Sequence, residues 1–368
     1  MDQLALNIIF LTAAVAGLIY YAAYRARHRD LAHLRRGMRL ESLGEHEQAI
    51  DALTEALKIN PDLLQARLTM AYACRNLGRL DEATALCRQV ADSLDDEASE
   101  TIGVLELLGR LCSQTGKGEQ AVAAYERLIK IWPRYVDGRM ALAAARSSVG
   151  QHETALALYK ELASDCGPSV ALCYKLGDLY RLLGRRDEAV EAYEKALAIQ
   201  LADRHDAGGF AHTLMILGDT YTQFGEHDSA LEAYARAQQP DPHWAAPYCG
   251  VGDVLIRLGR YDEAMASFRQ AIEVDDTWED AWRGVGDVHA KQNRAQDGLA
   301  AYRRAIEINP QFAAAHLDMG RLLAALGETE EAKKSLGKAC ELDPHGEVGK
   351  ESRAALDELS TPRLSPDK

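Results

Sequence analysis

The pattern of apolar and polar residues divides the chain into two parts. Residues 4–24 form an apolar run of 21 residues without a charge, in which only Asn7 and Thr12 are polar. At 1.5 Å of rise per residue, a helix of this length spans about 30 Å, which is the thickness of the hydrocarbon layer of a bilayer. After this run, small and aromatic residues recur at regular spacing among charged ones. The pattern therefore predicts one transmembrane helix followed by a long helical body.

The flanks of the apolar run favour an uncleaved anchor over a signal peptide. Only three residues precede the run, one of them the acidic Asp2, and no small-residue cleavage site follows it. An arginine cluster comes directly after it: Arg25, Arg27, Arg29, Arg35 and Arg36. The positive-inside rule places the body in the cytoplasm and the N-terminus outside. The alternative is a helix buried in the core of the body.

A repeating unit fills the body. Nine positions, eight glycines and one asparagine, are predicted to close the first helix of each unit, and six of the eight intervals between them are 34 residues. These positions are Gly44, Gly78, Gly116, Gly150, Gly184, Gly225, Gly259, Asn293 and Gly327. Because a helix that ends at such a residue turns through a left-handed conformation, we expect positive φ angles there.

Three further series keep step with these turns. In one repeat, for example, a small residue lies seven positions before the turn (Gly218), an alanine five after it (Ala230) and an aromatic residue nine after it (Tyr234). The small residues allow two helices to pack closely, and the aromatic ring fills the gap between adjacent repeats. Prolines are predicted to stop the second helix at Pro61, Pro133, Pro242, Pro310 and Pro344.

These positions resemble the tetratricopeptide repeat (TPR) family. The segments GRRDEAVEAYEKA (184–196) and GRYDEAMASFRQA (259–271) match its pattern closely, and the resemblance covers residues 30–346. It implies an all-α TPR superhelical solenoid of about nine helix-turn-helix repeats with a capping helix, preceded by the one transmembrane helix.

The spacing also sets the expected boundaries. The expected segments are the anchor and basic stem (1–29), repeats 1–2 (30–97), an insertion (98–101), repeats 3–5 (102–203), a second insertion (204–210), repeats 6–9 (211–346), a capping helix (347–359) and a disordered tail (360–368). Each insertion is interpreted as a loop or a lengthened helix. The alternative for the second insertion is a bend that divides repeats 1–5 from repeats 6–9.

Composition excludes several functions. The net charge of −14 over 368 residues argues against nucleic acid as a partner. The seven cysteines form no C-x-x-C pair, which argues against a disulfide framework or a zinc site and favours a reducing compartment. The sequence has no P-loop, nucleophile elbow or H-E-x-x-H motif. We therefore expect no catalytic, cofactor-binding or metal-ligating residues, and we expect that the protein is not an enzyme.

One polar feature is patterned. An aspartate follows the small residue of the first helix in four repeats, at Asp178, Asp219, Asp253 and Asp287. The TPR resemblance places this position in the concave groove and so predicts an acidic row. The same helix face is predicted to carry Tyr174, Arg181, His212, Met215, Cys249, Arg257, Arg283 and Lys291.

Two interpretations of the row remain. In the first, it binds a basic segment of a protein partner, either extended or helical. In the second, each aspartate is structural and is held by an arginine of the neighbouring repeat.

The layout suggests a function. An N-terminal anchor, a cytoplasmic TPR array and no catalytic motif resemble bacterial lipopolysaccharide assembly protein B and similar inner-membrane TPR proteins. The four-cysteine metal module of that family is missing, since only Cys340 lies in the last hundred residues. The resemblance implies a scaffold in the bacterial inner membrane that holds a partner during assembly or regulation of a membrane-associated complex. The alternatives are an import receptor on an organelle surface and an enzyme without a recognisable motif. The sequence indicates no oligomeric state.

Overall fold

The computed structural model describes residues 29–96, 99–202 and 207–360, which form nineteen α-helices and no strand. The chain divides into two compact units, Met1–Gly167 and Pro168–Lys368. Within each unit, consecutive helices pack against one another, and the two helices of a repeat make the most extensive contacts. The predicted all-α TPR architecture is therefore confirmed for the described residues.

The described part of the first unit contains four helix pairs. Its core lies around Leu105, Leu111, Tyr125 and Leu128, which are all buried. The helices are α1 (Arg29–Ser42), α2 (His46–Ile59), α3 (Leu64–Asn76), α4 (Leu80–Ser93), α5 (Ser99–Gln114), α6 (Gly118–Ile131), α7 (Val136–Ser148) and α8 (His152–Cys166).

The described part of the second unit contains five helix pairs and one further helix. They are α9 (Val170–Leu182), α10 (Arg186–Ala202), α11 (Ala207–Gln223), α12 (His227–Gln238), α13 (Ala246–Arg257), α14 (Tyr261–Val274), α15 (Glu279–Lys291), α16 (Ala295–Ile308), α17 (Ala313–Ala325), α18 (Thr329–Leu342) and α19 (Glu347–Ser360). Helix α19 packs on α17 and α18 and covers the apolar side of the last pair with Val348, Ala355 and Leu356.

The turn within each helix pair has the predicted left-handed residue. All eight glycines of the series have φ angles between 70° and 82°, and Asn293 has a φ of 59°. The residue after each turn bonds back into the preceding helix; Glu226 N, for example, donates to Tyr221 O at 2.8 Å. The prediction is confirmed, since glycine and asparagine are the residues that adopt this conformation at the lowest cost.

The small and aromatic series pack as predicted. The alanines that follow the turns, such as Ala230 and Ala264, have no exposed surface. A Cβ atom added to Gly177 would lie 2.5 Å from the ring of Tyr193, and one added to Gly252 would lie 2.6 Å from the ring of Phe268. Because such distances are below van der Waals contact, only glycine fits against these rings.

The described residues of both predicted insertions are helical. Helix α5 has 16 residues and helices α10 and α11 have 17 each, whereas α9 and α13 have 13 and 12. Residues 97–98 and 203–206 lie outside the described residues. The boundary between the two compact units follows Gly167, between repeats four and five, and not the second insertion.

The predicted anchor falls outside the part of the chain that the structure describes, as do residues 361–368 of the predicted tail. Across the ranges 29–96, 99–202 and 207–360, no helix combines the length and apolar character needed to cross a bilayer.

Candidate partner-binding groove

The first helices of four successive repeats line one open cavity in the second unit. These helices are α9, α11, α13 and α15, and the cavity has a volume of about 840 Å³. The cavity contains seven of the predicted site residues: Arg181, Met215, Asp219, Asp253, Arg257, Arg283 and Asp287. Cys249 lines it as well. We call this cavity the groove.

Four predicted site residues lie outside the groove lining: Tyr174, Asp178, His212 and Lys291. The Tyr174 hydroxyl is hydrogen-bonded to the Thr213 hydroxyl, and the edge of its ring contacts His212. Lys291 is exposed at the end of α15. Tyr174 therefore joins helix α9 to helix α11 and is not part of the groove wall.

Three aspartates of the row accept a hydrogen bond from a tyrosine of their own repeat. Tyr193 donates to Asp178 at 2.7 Å, Tyr234 to Asp219 at 2.7 Å and Tyr302 to Asp287 at 2.5 Å. Each tyrosine is the aromatic residue of the repeat, 15 positions after its aspartate. Of the two sequence interpretations, the structural one is thus correct in kind at these positions, but the donor is the tyrosine of the same repeat.

Burial changes the acidity of both partners in these pairs. Desolvation raises the pKa of Tyr234, and the Asp219 carboxylate raises it further because a second negative charge would be repelled. Asp219 itself is solvent-exposed at its edge, yet desolvation raises its pKa against the opposing effect of the Tyr234 hydrogen bond.

Asp253 is the exception in the row. The aromatic residue of its repeat is Phe268, which has no hydroxyl to donate, and among the described residues Asp253 has no hydrogen-bond partner. Its side chain is only partly accessible to water. Desolvation raises the pKa of Asp253 to about 6, although the positive charge of Arg283 acts in the opposite direction.

Arg283 is the central cation of the groove. Its guanidinium lies 3.1 Å from the Asp287 carboxylate and 3.4 Å from each of the carboxylates of Asp280 and Asp318. Although desolvation opposes it, attraction to Asp287, Asp253 and Asp318 raises the pKa of Arg283, so the guanidinium stays charged. Because Asp318 belongs to α17, Arg283 also links two neighbouring repeats.

Asp318 shares the environment of Arg283. Desolvation raises the pKa of Asp318 to about 6, the nearby Asp287 raises it further, and Arg283 opposes the shift. Asp318 lies 34 residues after Gly284, at the position where the two preceding repeats have glycine. It is therefore outside the aspartate series, and a search for that series does not find it.

The rest of the groove lining is apolar or lacks a side chain. Met215, Cys249, Ile256 and Trp278 contribute apolar surface, and burial raises the pKa of the Cys249 thiol. Gly250 lines the groove above Tyr234; a Cβ atom there would lie 2.7 Å from that ring. The missing side chain deepens the groove beside Asp253. The sequence signal for this depth is the doubled glycine of the GVGDV segments at 250–254 and 284–288.

No group of histidine, cysteine, aspartate or glutamate side chains suited to a metal ion occurs in the described ranges 29–96, 99–202 and 207–360. The groove instead combines carboxylates, guanidinium groups and apolar walls. Such a lining suits a peptide side chain with an apolar stem and a charged end.

Three family models match the chain. The one described as "Cilia and flagella-associated protein 70 C-terminal domain" matches residues 140–362, and two tetratricopeptide repeat models match residues 40–100 and 107–171. No curated protein matches.

Solved structures with a similar fold include a tetratricopeptide repeat protein from Parabacteroides merdae ATCC 43184. The match has a TM-score of 0.53 and 15% sequence identity, and it covers 71% of this chain and 98% of that chain. The structure of MamA matches with a TM-score of 0.35 and 28% identity, over 46% of this chain and 95% of that chain.

Proposed function

We propose that this chain, which belongs to the tetratricopeptide repeat family and, through residues 140–362, to the family described as cilia and flagella-associated protein 70 C-terminal domain, is a membrane-anchored interaction scaffold. Its groove holds an extended or helical segment of a protein partner during assembly or regulation of a membrane-associated complex. The observation that carries this proposal is the cavity of about 840 Å³ formed by the first helices of four successive repeats.

The groove suits a segment of a protein better than a small metabolite. It is open to solvent along several helices, and its charged groups are distributed from Arg181 in α9 to Asp287 in α15. Met215 and Ile256 offer apolar contacts between these charges. A chain segment can meet alternating apolar and charged positions along its length, and TPR families are generally scaffolds without catalytic activity.

The membrane part of the proposal rests on the sequence. The uncharged run 4–24 is long enough to cross a bilayer, and the arginines after it favour a cytoplasmic body, in the bacterial inner membrane. Residues 1–36 carry five arginines and two aspartates, whereas the remaining residues carry 37 basic and 54 acidic side chains. Anionic lipid attracts the stem and repels the body, so the groove stands clear of the membrane.

The orientation has a direct test. Protease added to right-side-out vesicles from cells that express the full chain should leave residues 37–368 intact, because they lie on the inner side. Opening the vesicles should make the body accessible. Digestion of the body in sealed vesicles would contradict the proposed topology.

Capture of partners from native membranes tests the scaffold. The variant M215Q/R257Q changes one half-buried and one exposed side chain of the groove and leaves the packed core intact. The matched control M38Q/R39Q makes the same two changes on exposed positions of α1 in the first unit. Since contacts at the centre of an interface are worth more than 1 kcal/mol, we expect about tenfold weaker capture by the groove variant. Unchanged capture, or equal loss in the control, would contradict a partner site in this groove.

A further inference from the structure

The groove has one carboxylate that the fold leaves without a donor, and this defines what it can recognise. We propose that Asp253 is the anchor for a cationic side chain, lysine or arginine, of the partner segment. The inference rests on the proposed scaffold function and specifies the partner chemistry of the same groove.

The first argument is the break in the tyrosine pattern. In the repeats on both sides of Asp253, a tyrosine hydroxyl occupies the aspartate, at 2.7 Å for Asp219 and 2.5 Å for Asp287. Phe268 fills the same place between the helices and is as fully buried as those tyrosines. The phenyl ring therefore preserves the packing of the repeat and removes only the hydroxyl. The unbonded carboxylate is a local property of this one repeat.

The second argument is the cost of leaving that carboxylate unpaired. A partly buried charge without a hydrogen-bond donor destabilises the folded chain. Desolvation is the main influence on Asp253, and Arg283, the closest compensating charge, is shared with Asp287, Asp280 and Asp318. A ligand that brings its own N–H donors gains what the fold does not supply.

The third argument is the charge around the site. Asp219, Asp253, Asp280 and Asp287 line the groove together with three arginines, and Asp318 adds a fifth carboxylate to the same network through Arg283. Arg257 is exposed at the edge of the groove, and Arg181 is directed to Gln223 at 3.4 Å. The centre of the groove thus has more carboxylates than available cations, which favours a positive side chain over a negative one.

The fourth argument is the shape beside Asp253. Gly250 leaves open the space that a side chain would fill, and Met215, Ile256 and Trp278 form apolar walls around it. Lysine and arginine have long aliphatic stems that pack on such walls while the charged end reaches a carboxylate. The indole of Trp278 also offers a ring face for a cation.

Defined peptides test this recognition. The probes are acetylated and amidated alanine–leucine peptides that differ only in the central residue: arginine, lysine, glutamine or glutamate. Binding to the full chain in lipid nanodiscs is measured by calorimetry at pH 7.5. We expect the arginine and lysine peptides to bind about tenfold more tightly than the glutamine peptide, as for a charged pair in a partly buried site, and the glutamate peptide to bind weakest. Equal binding of the arginine and glutamine peptides would overturn the proposal.

The substitution F268Y is the sharpest variant, because it gives this repeat the tyrosine of its neighbours. We expect its hydroxyl to occupy Asp253 and to weaken binding of the arginine peptide about fivefold, with the glutamine peptide unaffected. The control Y193F changes a tyrosine whose aspartate lies outside the groove lining, and it should bind like the wild type. Melting temperatures verify that both variants fold. Wild-type affinity in F268Y would exclude Asp253 as the anchor.

The two proposals fail in different ways. If M215Q/R257Q loses the native partner while F268Y retains it and shows no preference among the peptides, the groove is a partner site but Asp253 is not its anchor. If neither variant changes capture or peptide binding, both the groove function and the anchor are wrong.

Discussion

Repeats seven and eight have the same groove sequence but treat it differently. Residues 250–254 and 284–288 both read GVGDV, on the first helices α13 and α15. In repeat eight, Tyr302 donates to Asp287 and Arg283 pairs with the same carboxylate at 3.1 Å. In repeat seven, Phe268 leaves the equivalent aspartate without a donor among the described residues. One substitution on the second helix thus separates the two sites.

The comparison separates packing from hydrogen bonding. Phe268 and Tyr302 have 0% and 2% of their surface exposed, and both lie against a glycine of the first helix. The ring is therefore what the helix pair requires, and the hydroxyl serves the aspartate. An aspartate row in a TPR array is consequently not uniform in role. Asp287 is part of the internal network of the fold, whereas Asp253 is free to meet a ligand.

The largest expected effect comes from making repeat eight resemble repeat seven. Y302F removes the hydroxyl from Asp287, whose side chain is only 22% exposed, so water replaces the lost bond poorly. Leaving such a group underbonded costs about 1–3 kcal/mol, and we expect the free energy of unfolding to fall by that amount. Urea denaturation followed by circular dichroism measures the change.

The same substitution at the other end of the row is its control. Y193F removes the hydroxyl from Asp178, which is exposed to solvent. Water can take the place of that donor, and we expect a loss of about 0.5 kcal/mol. Equal losses in Y193F and Y302F would show that burial does not distinguish the two ends of the row.

The fold was predictable because its signals are local and repeated. A left-handed glycine after the first helix, such as Gly225, restricts the turn whatever lies around it. The small residue and the aromatic residue are constrained by contact with each other, as with Gly177 and Tyr193. Nine copies of these constraints at one spacing leave few other arrangements of the chain. The two irregular intervals were less predictable, because extra residues lengthen a helix or a loop equally well.

The groove was predictable in position but not in detail. A helix face follows from the spacing, so seven predicted residues do meet in one cavity. The partner of each aspartate depends on side-chain direction across two helices, which spacing alone does not give. A signal was present: aspartate and tyrosine are 15 residues apart in three repeats, and Phe268 breaks the rule in the fourth. Tyr174 was placed in the groove because its helix face was right, although its hydroxyl is bound to Thr213.

The smallest expected effect tests the exception in repeat seven, through its dependence on pH. The pKa of Asp253 in the fold, about 6, lies above the ordinary value of 3.8. The folded chain therefore holds this proton up to a higher pH than the unfolded chain, and the contribution of Asp253 to stability falls as the pH rises from about 4 to about 6. Asparagine does not titrate, so D253N lacks this decline.

We expect D253N to equal the wild type near pH 4 and to exceed its free energy of unfolding by about 1 kcal/mol at pH 7. The full shift of about two pKa units would set an upper limit of about 3 kcal/mol, and the loss of attraction to Arg283 reduces the gain. Asp318, whose pKa is also raised to about 6, titrates in both proteins, so its contribution cancels in the difference. Urea denaturation of both proteins at pH 4, 5, 6 and 7 measures the effect. A difference that is independent of pH, or that has the opposite sign, would mean that Asp253 is already satisfied within the fold and has no capacity left for a partner.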